Sequence, residues 1–114
     1  MQRTNKYGAK PRRVDGIYFH STREAMRYRE LQLLVKAGAI KDLTLQPRFE
    51  LWVPKAGCDT NVSVGHYKAD FGYTDTKTNE RVIEDVKVPA TRTTVYKLKK
   101  RIVEAFYGIR IIEV

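Results

Sequence analysis

The sequence predicts a mixed α/β domain in which a helix, three strands, a second helix and a final strand follow one another. Two segments with apolar residues at helical spacing predict the helices, and segments that alternate apolar and polar residues predict the strands. The 114 residues suit one compact domain. We therefore expect a single domain over residues 12–114, preceded by a flexible basic arm over residues 1–11.

The first predicted elements are a hairpin and a capped helix. Asp15-Gly16 favours a two-residue hairpin turn. The turn joins two short segments, Arg12–Val14 and Ile17–Phe19. Ser21 and Glu24 form a capping-box pattern with Ser21 as N-cap. The helix that begins there runs to about Ala37 and stops at Gly38. Its expected apolar stripe consists of Tyr28, Leu31 and Val35.

Three segments with strand character come next: Leu43–Val53, Val64–Thr74 and Arg81–Val88. Pro47 marks an edge position or a bend in the first of them. The second alternates, and one face carries Tyr67, Ala69, Phe71 and Tyr73 while the other carries His66, Lys68 and Asp70. A polar turn over Asp75–Glu80 joins the second and third segments. We expect an antiparallel meander.

The last two predicted elements are a helix over residues 92–107 and a strand over Ile109–Val114. Gly108 suits the left-handed cap of the helix. The stripe expected to be buried consists of Val95, Leu98, Ile102, Ala105 and Phe106. Because the helix crosses over the sheet, we expect the final strand to be parallel to a neighbour.

Composition indicates a polyanionic partner and an intracellular setting. The formal charge is +9, and acid-free basic clusters lie at both ends of the chain. They are Arg3, Lys6, Lys10, Arg12 and Arg13, and then Arg92, Lys97, Lys99, Lys100 and Arg101. For the first cluster, nucleic-acid contact and a solubilising tail are equal alternatives; for the second we favour nucleic acid. Cys58 is the single cysteine, which excludes an internal disulfide and a cysteine-based metal site. No membrane-length apolar run or secretory signal is evident, so we expect a cytoplasmic protein without membrane contact.

Asp70 and Asp85 form the most informative pair of polar residues. A hairpin centred on Lys77-Thr78 would place them directly opposite each other on neighbouring strands. A slip of one residue would separate them onto opposite faces. Facing carboxylates repel unless a cation lies between them, and oxygen ligands suit Mg²⁺ or Mn²⁺.

Lys87 and Glu24 extend this predicted site. Lys87 lies two residues beyond Asp85 and so projects from the same strand face, where an ammonium would orient a water nucleophile. Glu24 lies on the inward stripe of the first helix and would be a further ligand, or it is only the capping partner of Ser21. Glu84 lies on the opposite strand face, where we expect a surface or salt-bridged residue. Gln46 borders the site or belongs to a strand bend.

Several segments resemble the PD-(D/E)XK nuclease superfamily and a small phage and prophage family of unknown function. They are residues 5–10, Gly16–Ser21 with Glu24-Ala25, Leu45–Pro47, Tyr67–Phe71 and Val82–Lys87. The resemblance implies a restriction-endonuclease-like αβββαβ core. It also implies that Asp70, Asp85 and Glu24 hold the metal with the carbonyl of Val86, and that Lys87 positions the attacking water. Ala69 stands where the superfamily name has proline, and His20 stands where relatives would have an acid.

These observations predict a Mg²⁺- or Mn²⁺-dependent DNA endonuclease. By analogy with related folds, branched DNA such as a Holliday junction is the expected substrate of a homodimer. The expected DNA contacts are Arg12, Arg13, Arg92, Lys97, Lys99, Lys100 and Arg101. Two alternatives stay open: a non-catalytic nucleic-acid-binding module with the same fold, and a ribosomal-type RNA binder.

Overall fold

The computed structural model describes residues 12–114 and confirms the predicted α/β class with a mixed sheet. The predicted arm over residues 1–11 lies outside this range. In chain order the elements are β1 (Arg12–Val14), β2 (Ile17–Phe19), α1 (Thr22–Lys36), β3 (Ile40–Leu45), β4 (Arg48–Pro54), β5 (Asn61–Lys68), β6 (Phe71–Asp75), β7 (Arg81–Asp85), α2 (Thr94–Tyr107) and β8 (Ile111–Glu113). A short 3-10 turn at Pro89–Thr91 precedes α2.

Local signals placed the hairpin, the start of α1 and the end of α2 correctly. Asp15 and Gly16 have φ angles of 51° and 77°, the left-handed conformation that the tight turn between β1 and β2 requires. The Ser21 hydroxyl accepts a hydrogen bond of 3.1 Å from the Glu24 backbone N–H and so caps α1. Gly108 ends α2 with φ 65°. These features depend on neighbouring residues alone, which explains why the sequence predicted them.

The central sheet has the strand order β3-β6-β7-β8. The first two pairs are antiparallel and β7–β8 is parallel, as the meander and the crossover predicted. The β6–β7 turn is fixed by the Asp75 side chain, which accepts hydrogen bonds from the backbone N–H groups of Lys77 and Thr78. The turn chemistry therefore sets the register of the strands that carry the acid pair.

Two predicted strands are each divided in two, which corrects the expectation of continuous strands. The segment Leu43–Val53 turns at Gln46-Pro47, and the segment Val64–Thr74 turns at Ala69-Asp70. The register continues across both breaks, since Leu45 pairs with Phe71 and Arg48 pairs with Lys68. Gln46 has a φ angle of 50°, a conformation that no regular strand contains. The two paired strands therefore bend at the same position along their length, and the β4–β5 hairpin leaves the central sheet.

The bend distributes one apolar strand face between two cores. Phe71 and Tyr73 pack with α1, whereas Tyr67 and Ala69 pack with α2. The four residues predicted on one face are all buried, but the bend at Ala69-Asp70 divides them between the two cores. Asp70 lies at the junction of the two cores.

The two helices differ in how well their buried faces were predicted. In α1 the buried residues are Ala25, Tyr28 and Leu31, although Val35 is exposed. In α2 the buried residues are Tyr96 and Val103, and the stripe predicted to be buried is largely exposed, with Val95 at 62%, Leu98 at 58% and Phe106 at 48%. The prediction for α2 was wrong because the aromatic Tyr96 and its neighbours, at another angle of the helix, pack against β4 and β5. Within residues 12–114 no helix has the length and apolar character to cross a membrane.

Candidate active site

Asp70 and Asp85 lie opposite each other where β7 ends. Phe71 pairs with Glu84 in the β6–β7 ladder, and the Asp70 backbone N–H donates 3.1 Å to the Glu84 carbonyl. The register predicted from the Lys77-Thr78 turn is therefore confirmed. The two carboxyl groups are close enough to shift each other's pKa, and Asp85 is only 2% exposed. A buried acid and a half-buried acid thus face each other.

Each carboxyl group is held by a donor from a different part of the fold. The Val86 backbone N–H donates 2.7 Å to Asp70 Oδ2, and the Tyr67 hydroxyl donates to Asp85 Oδ2. These bonds hold Oδ2 of each carboxyl group, and Oδ1 of each accepts neither of them. The acid pair is therefore oriented by its surroundings before any ligand binds.

The pKa values of both acids are raised. Burial is the largest cause for Asp85, followed by the hydrogen bond to Asp70 and the charge of Asp70, and together they raise the pKa of Asp85 to about 7. Burial also raises the pKa of Asp70, as does the charge of Glu24, while the Val86 N–H and Lys87 act in the opposite direction. The pair therefore binds a proton more tightly than two separate exposed acids would, and a bound cation would compete with that proton.

Lys87 lies beside the acid pair, on the strand face that the sequence predicted. Its Nζ is 3.6 Å from Asp85 Oδ1 and 4.4 Å from the centre of the Tyr96 ring. Backbone hydrogen bonds from Lys87 N–H to the Val114 carbonyl (3.1 Å) and from Val114 N–H to the Asp85 carbonyl (2.9 Å) extend the pairing past the end of β7. The ammonium is therefore positioned by both the sheet and an aromatic ring.

Glu24 borders the same region from α1. It lines, together with Gln46 and Asp70, a cleft of about 130 Å³ that we term the acidic cleft. Burial raises its pKa first and the charge of Asp85 second, while a hydrogen bond from the His20 backbone N–H and the charge of Lys87 lower it. The Ser21 half of the predicted capping box is present, but the Glu24 carboxyl accepts from His20.

The three predicted metal ligands do not form a ready-made cage. Within residues 12–114, no group of three or more His, Cys, Asp or Glu side chains is close enough to hold a metal ion. The structure brings together Asp70, Asp85 and Lys87, whereas Glu24 lies at the border of the cleft. Glu84 points to the other face of β7, where it binds Arg27, in agreement with the sequence interpretation.

The predicted DNA-contacting residues fall into two groups. Arg92 and Lys100 form ion pairs with Glu113, at 2.9 and 3.5 Å, so they are not free cations. Exposed members are Arg12 and Arg13 on β1 and Lys97 and Arg101 on α2, and Lys99 is half-buried. Lys100 is therefore directed toward β8, whereas its neighbours Lys97 and Arg101 are exposed.

Sequence reasoning missed the aromatic residues that support the site. The Tyr67 hydroxyl donates to Asp85, and Tyr96 packs under Lys87 while its hydroxyl donates 2.9 Å to Glu113. Both rings are also buried in the core. The available signal was a tyrosine in a predicted strand, close in sequence to a predicted acid. Residue spacing does not show which tyrosine hydroxyl reaches which acid.

Comparison with known proteins gives one family match. The model of a protein family of unknown function, DUF1064, matches residues 4–111. Neither a curated protein nor a solved structure matches the chain at a significant level. The matched range includes both residues of the acid pair, Glu24 and Lys87, and it extends over both cores. The chain therefore belongs to the DUF1064 family.

Proposed function

We propose that this protein is a metal-dependent endonuclease that hydrolyses phosphodiester bonds in DNA. The observation that carries the proposal is the buried pair of Asp70 and Asp85 with the Lys87 ammonium 3.6 Å from one of its oxygens. Perturbed acids that face one another beside a cation are more frequent in functional sites than in ordinary strand surfaces. The resemblance of the motifs to the PD-(D/E)XK superfamily supports the same activity.

The donor set fits a hard divalent cation. Asp70 and Asp85 offer carboxylate oxygens that are already oriented by Val86 and Tyr67, and their mutual repulsion favours an ion between them. We propose that these two acids hold Mg²⁺ or Mn²⁺ and that Glu24 contributes from the border of the acidic cleft. A bound divalent ion supplies a water of lowered pKa and an electrophile for the phosphoryl oxygen.

The residues of the chain then have distinct roles. Lys87 would orient the nucleophilic water and offset the charge that develops on the phosphoryl group, and the Tyr96 ring limits the movement of its ammonium. Tyr67 and the Val86 N–H keep the carboxyl groups in place, so little reorganisation is needed. The net charge of +9 favours a polyanionic substrate, and branched DNA is the proposed substrate by analogy. The homodimer stays a prediction, as does a location in the cytoplasm.

The test is nicking of supercoiled and branched DNA with Mg²⁺, with Mn²⁺ and with EDTA. We expect nicking that requires metal and falls at least about a thousandfold in Asp85→Asn, because a metal site supplies several kcal/mol of transition-state stabilisation. Asparagine keeps the shape of the protonated acid and can still accept the Tyr67 hydrogen bond. The matched control is Asp59→Asn, an exposed acid in the loop between β4 and β5.

Two results would contradict the proposal: nicking by Asp85→Asn at the wild-type rate, or nicking that persists in EDTA. Binding of DNA without any nicking, unaffected by metal and by Asp85→Asn, indicates the non-catalytic module instead. A preference for RNA that ignores both aspartates indicates the RNA-binding alternative.

A further inference from the structure

A second cleft borders the β1–β2 hairpin, beside the acidic cleft. The acidic cleft is lined by β2, whereas the second cleft, of about 140 Å³, is lined by β1. Both include the first turns of α1, because Glu24 lines the acidic cleft and its neighbour Ala25 lines the second. One turn of helix rises only about 5.4 Å, so the two clefts are close together.

The second cleft is strongly basic, and we term it the arginine cleft. Arg12, Arg13 and Arg29 line it, and the other lining residues are Val14, Thr22, Ala25 and Met26. Thr22, Ala25, Met26 and Arg29 follow the spacing of one helix face, which directs Arg29 toward the hairpin. The lining contains no acid.

Arg13 and Arg29 have no carboxylate partner within residues 12–114. None of the ion pairs in that part of the chain includes either residue, and both are exposed. By contrast, Arg27 and Arg92 are paired with Glu84 and Glu113. Guanidinium groups gathered at one cleft repel each other unless an anion offsets their charge.

We propose that the arginine cleft binds a phosphate of the nucleic-acid backbone, next to the phosphate that enters the acidic cleft. The inference rests on the proposed function for its substrate class, DNA, and does not depend on cleavage. Arginine forks match phosphate oxygens, and the volume is several times the roughly 30 Å³ of one water. Phosphates recur about every 3.4 Å of axis along each strand, so a strand that reaches Asp70 carries others past Arg13 and Arg29.

With a phosphate in the arginine cleft, the bound DNA strand crosses the β1–β2 hairpin and does not follow α2 alone. That path uses Arg13 and Arg29, which have no carboxylate partner within residues 12–114, whereas two of the predicted contacts near α2 are neutralised by Glu113. It carries no sequence information, because phosphate contacts position a nucleic acid without reading its bases.

The test compares Arg13→Gln/Arg29→Gln with a control of equal charge change, Lys36→Gln/Lys41→Gln. The two lysines are exposed, and Lys36 lies roughly 18 Å from Glu24 along the axis of α1. The measurement is the salt dependence of binding to a labelled branched DNA in EDTA, where hydrolysis does not occur. The slope of log Kobs against log salt is negative, and one lost phosphate contact decreases its magnitude by about 0.9. We expect that decrease in the arginine variant, no change in the control, and recovery in Arg13→Lys/Arg29→Lys.

Equal slopes in the arginine variant and the wild type, or equal decreases in both double variants, overturn the inference. Stabilisation of the wild type but not of the arginine variant by millimolar inorganic phosphate, with unchanged DNA slopes, indicates a small-phosphate site and also overturns it. The inference and the proposed function fail separately. If the arginine variant has a reduced slope but the wild type does not nick DNA, only the nuclease proposal is contradicted. If nicking is metal-dependent but the slope is unchanged, only the phosphate-site proposal is contradicted.

Discussion

Glu84 and Asp85 are consecutive buried acids on β7. Their side chains lie on opposite faces of the sheet and have different partners. Glu84, 1% exposed, receives two hydrogen bonds from Arg27, at 2.8 and 2.6 Å, and one from the Tyr73 hydroxyl. Asp85, 2% exposed, faces Asp70, and its cation Lys87 is 3.6 Å away. One acid is neutralised by a bidentate partner, and the other shares its site with a second acid.

The difference shows that burial alone does not identify a functional carboxylate. A buried acid with a complete set of donors contributes to the specificity of the fold, and breaking its pair is costly. A buried acid opposed by another acid has a raised pKa and a site that a cation would complete. The contrast between Arg27 and Lys87 is therefore the best place to test the assignment.

Removing the cation from the Glu84 face should have the largest effect on stability. Arg27→Met should destabilise the protein by about 3–5 kcal/mol, because it leaves the Glu84 charge buried without a partner. Urea unfolding measures the change. The double variant Arg27→Met/Glu84→Gln should regain more than half of the loss, since the charge is then absent. A loss below about 1 kcal/mol in Arg27→Met would show that Glu84 is protonated or hydrated, and the comparison would fail.

Removing the cation from the Asp85 face should affect turnover instead. Lys87→Met keeps the apolar contact with Tyr96 and should lower kcat about a hundredfold, the size expected for one electrostatic donor at the reacting group. Its effect on stability should be under about 1 kcal/mol, because the Asp85 pair holds a proton without it. Steady-state nicking and a Mn²⁺ titration separate the two effects. A large loss of metal affinity with unchanged kcat would contradict the role given to Lys87.

The pH dependence of stability should also distinguish the two faces, by a small change at each pH unit. The folded-state pKa of Asp85 is raised from 3.8 to about 7, so the folded state binds the proton more tightly than the unfolded state between these values. Stability that is present below pH 4 should therefore be lost as pH rises toward 7, by about 1 kcal/mol per unit in the absence of metal. Asp85→Asn should remove this slope. Saturating Mg²⁺ should raise the melting temperature more at pH 8 than at pH 5, and an equal shift at both would argue against metal binding by the pair.

Much of the candidate site was predictable because it depends on local register. The Asp75–Glu80 turn fixes how β6 and β7 pair, and that pairing alone brings Asp70 opposite Asp85 and places Lys87 on the same face. The supporting groups were not predictable in this way. Tyr67 reaches Asp85 only because the ribbon bends at Asp70, and the Arg27 partner of Glu84 comes from α1, 57 positions away.

The sequence by itself determined the positions of both helices, the Ser21 and Gly108 caps, the first hairpin and the strand pairing that joins two acids. These depend on interactions between residues close in the chain, for which spacing and turn chemistry are sufficient. Only the tertiary structure decided which side of α2 is buried, where the long strands bend and which of two adjacent acids receives a bidentate cation. An apolar stripe indicates that its residues can be buried, but the surface that covers them comes from elements far away in the chain. The sequence pattern does not identify those elements.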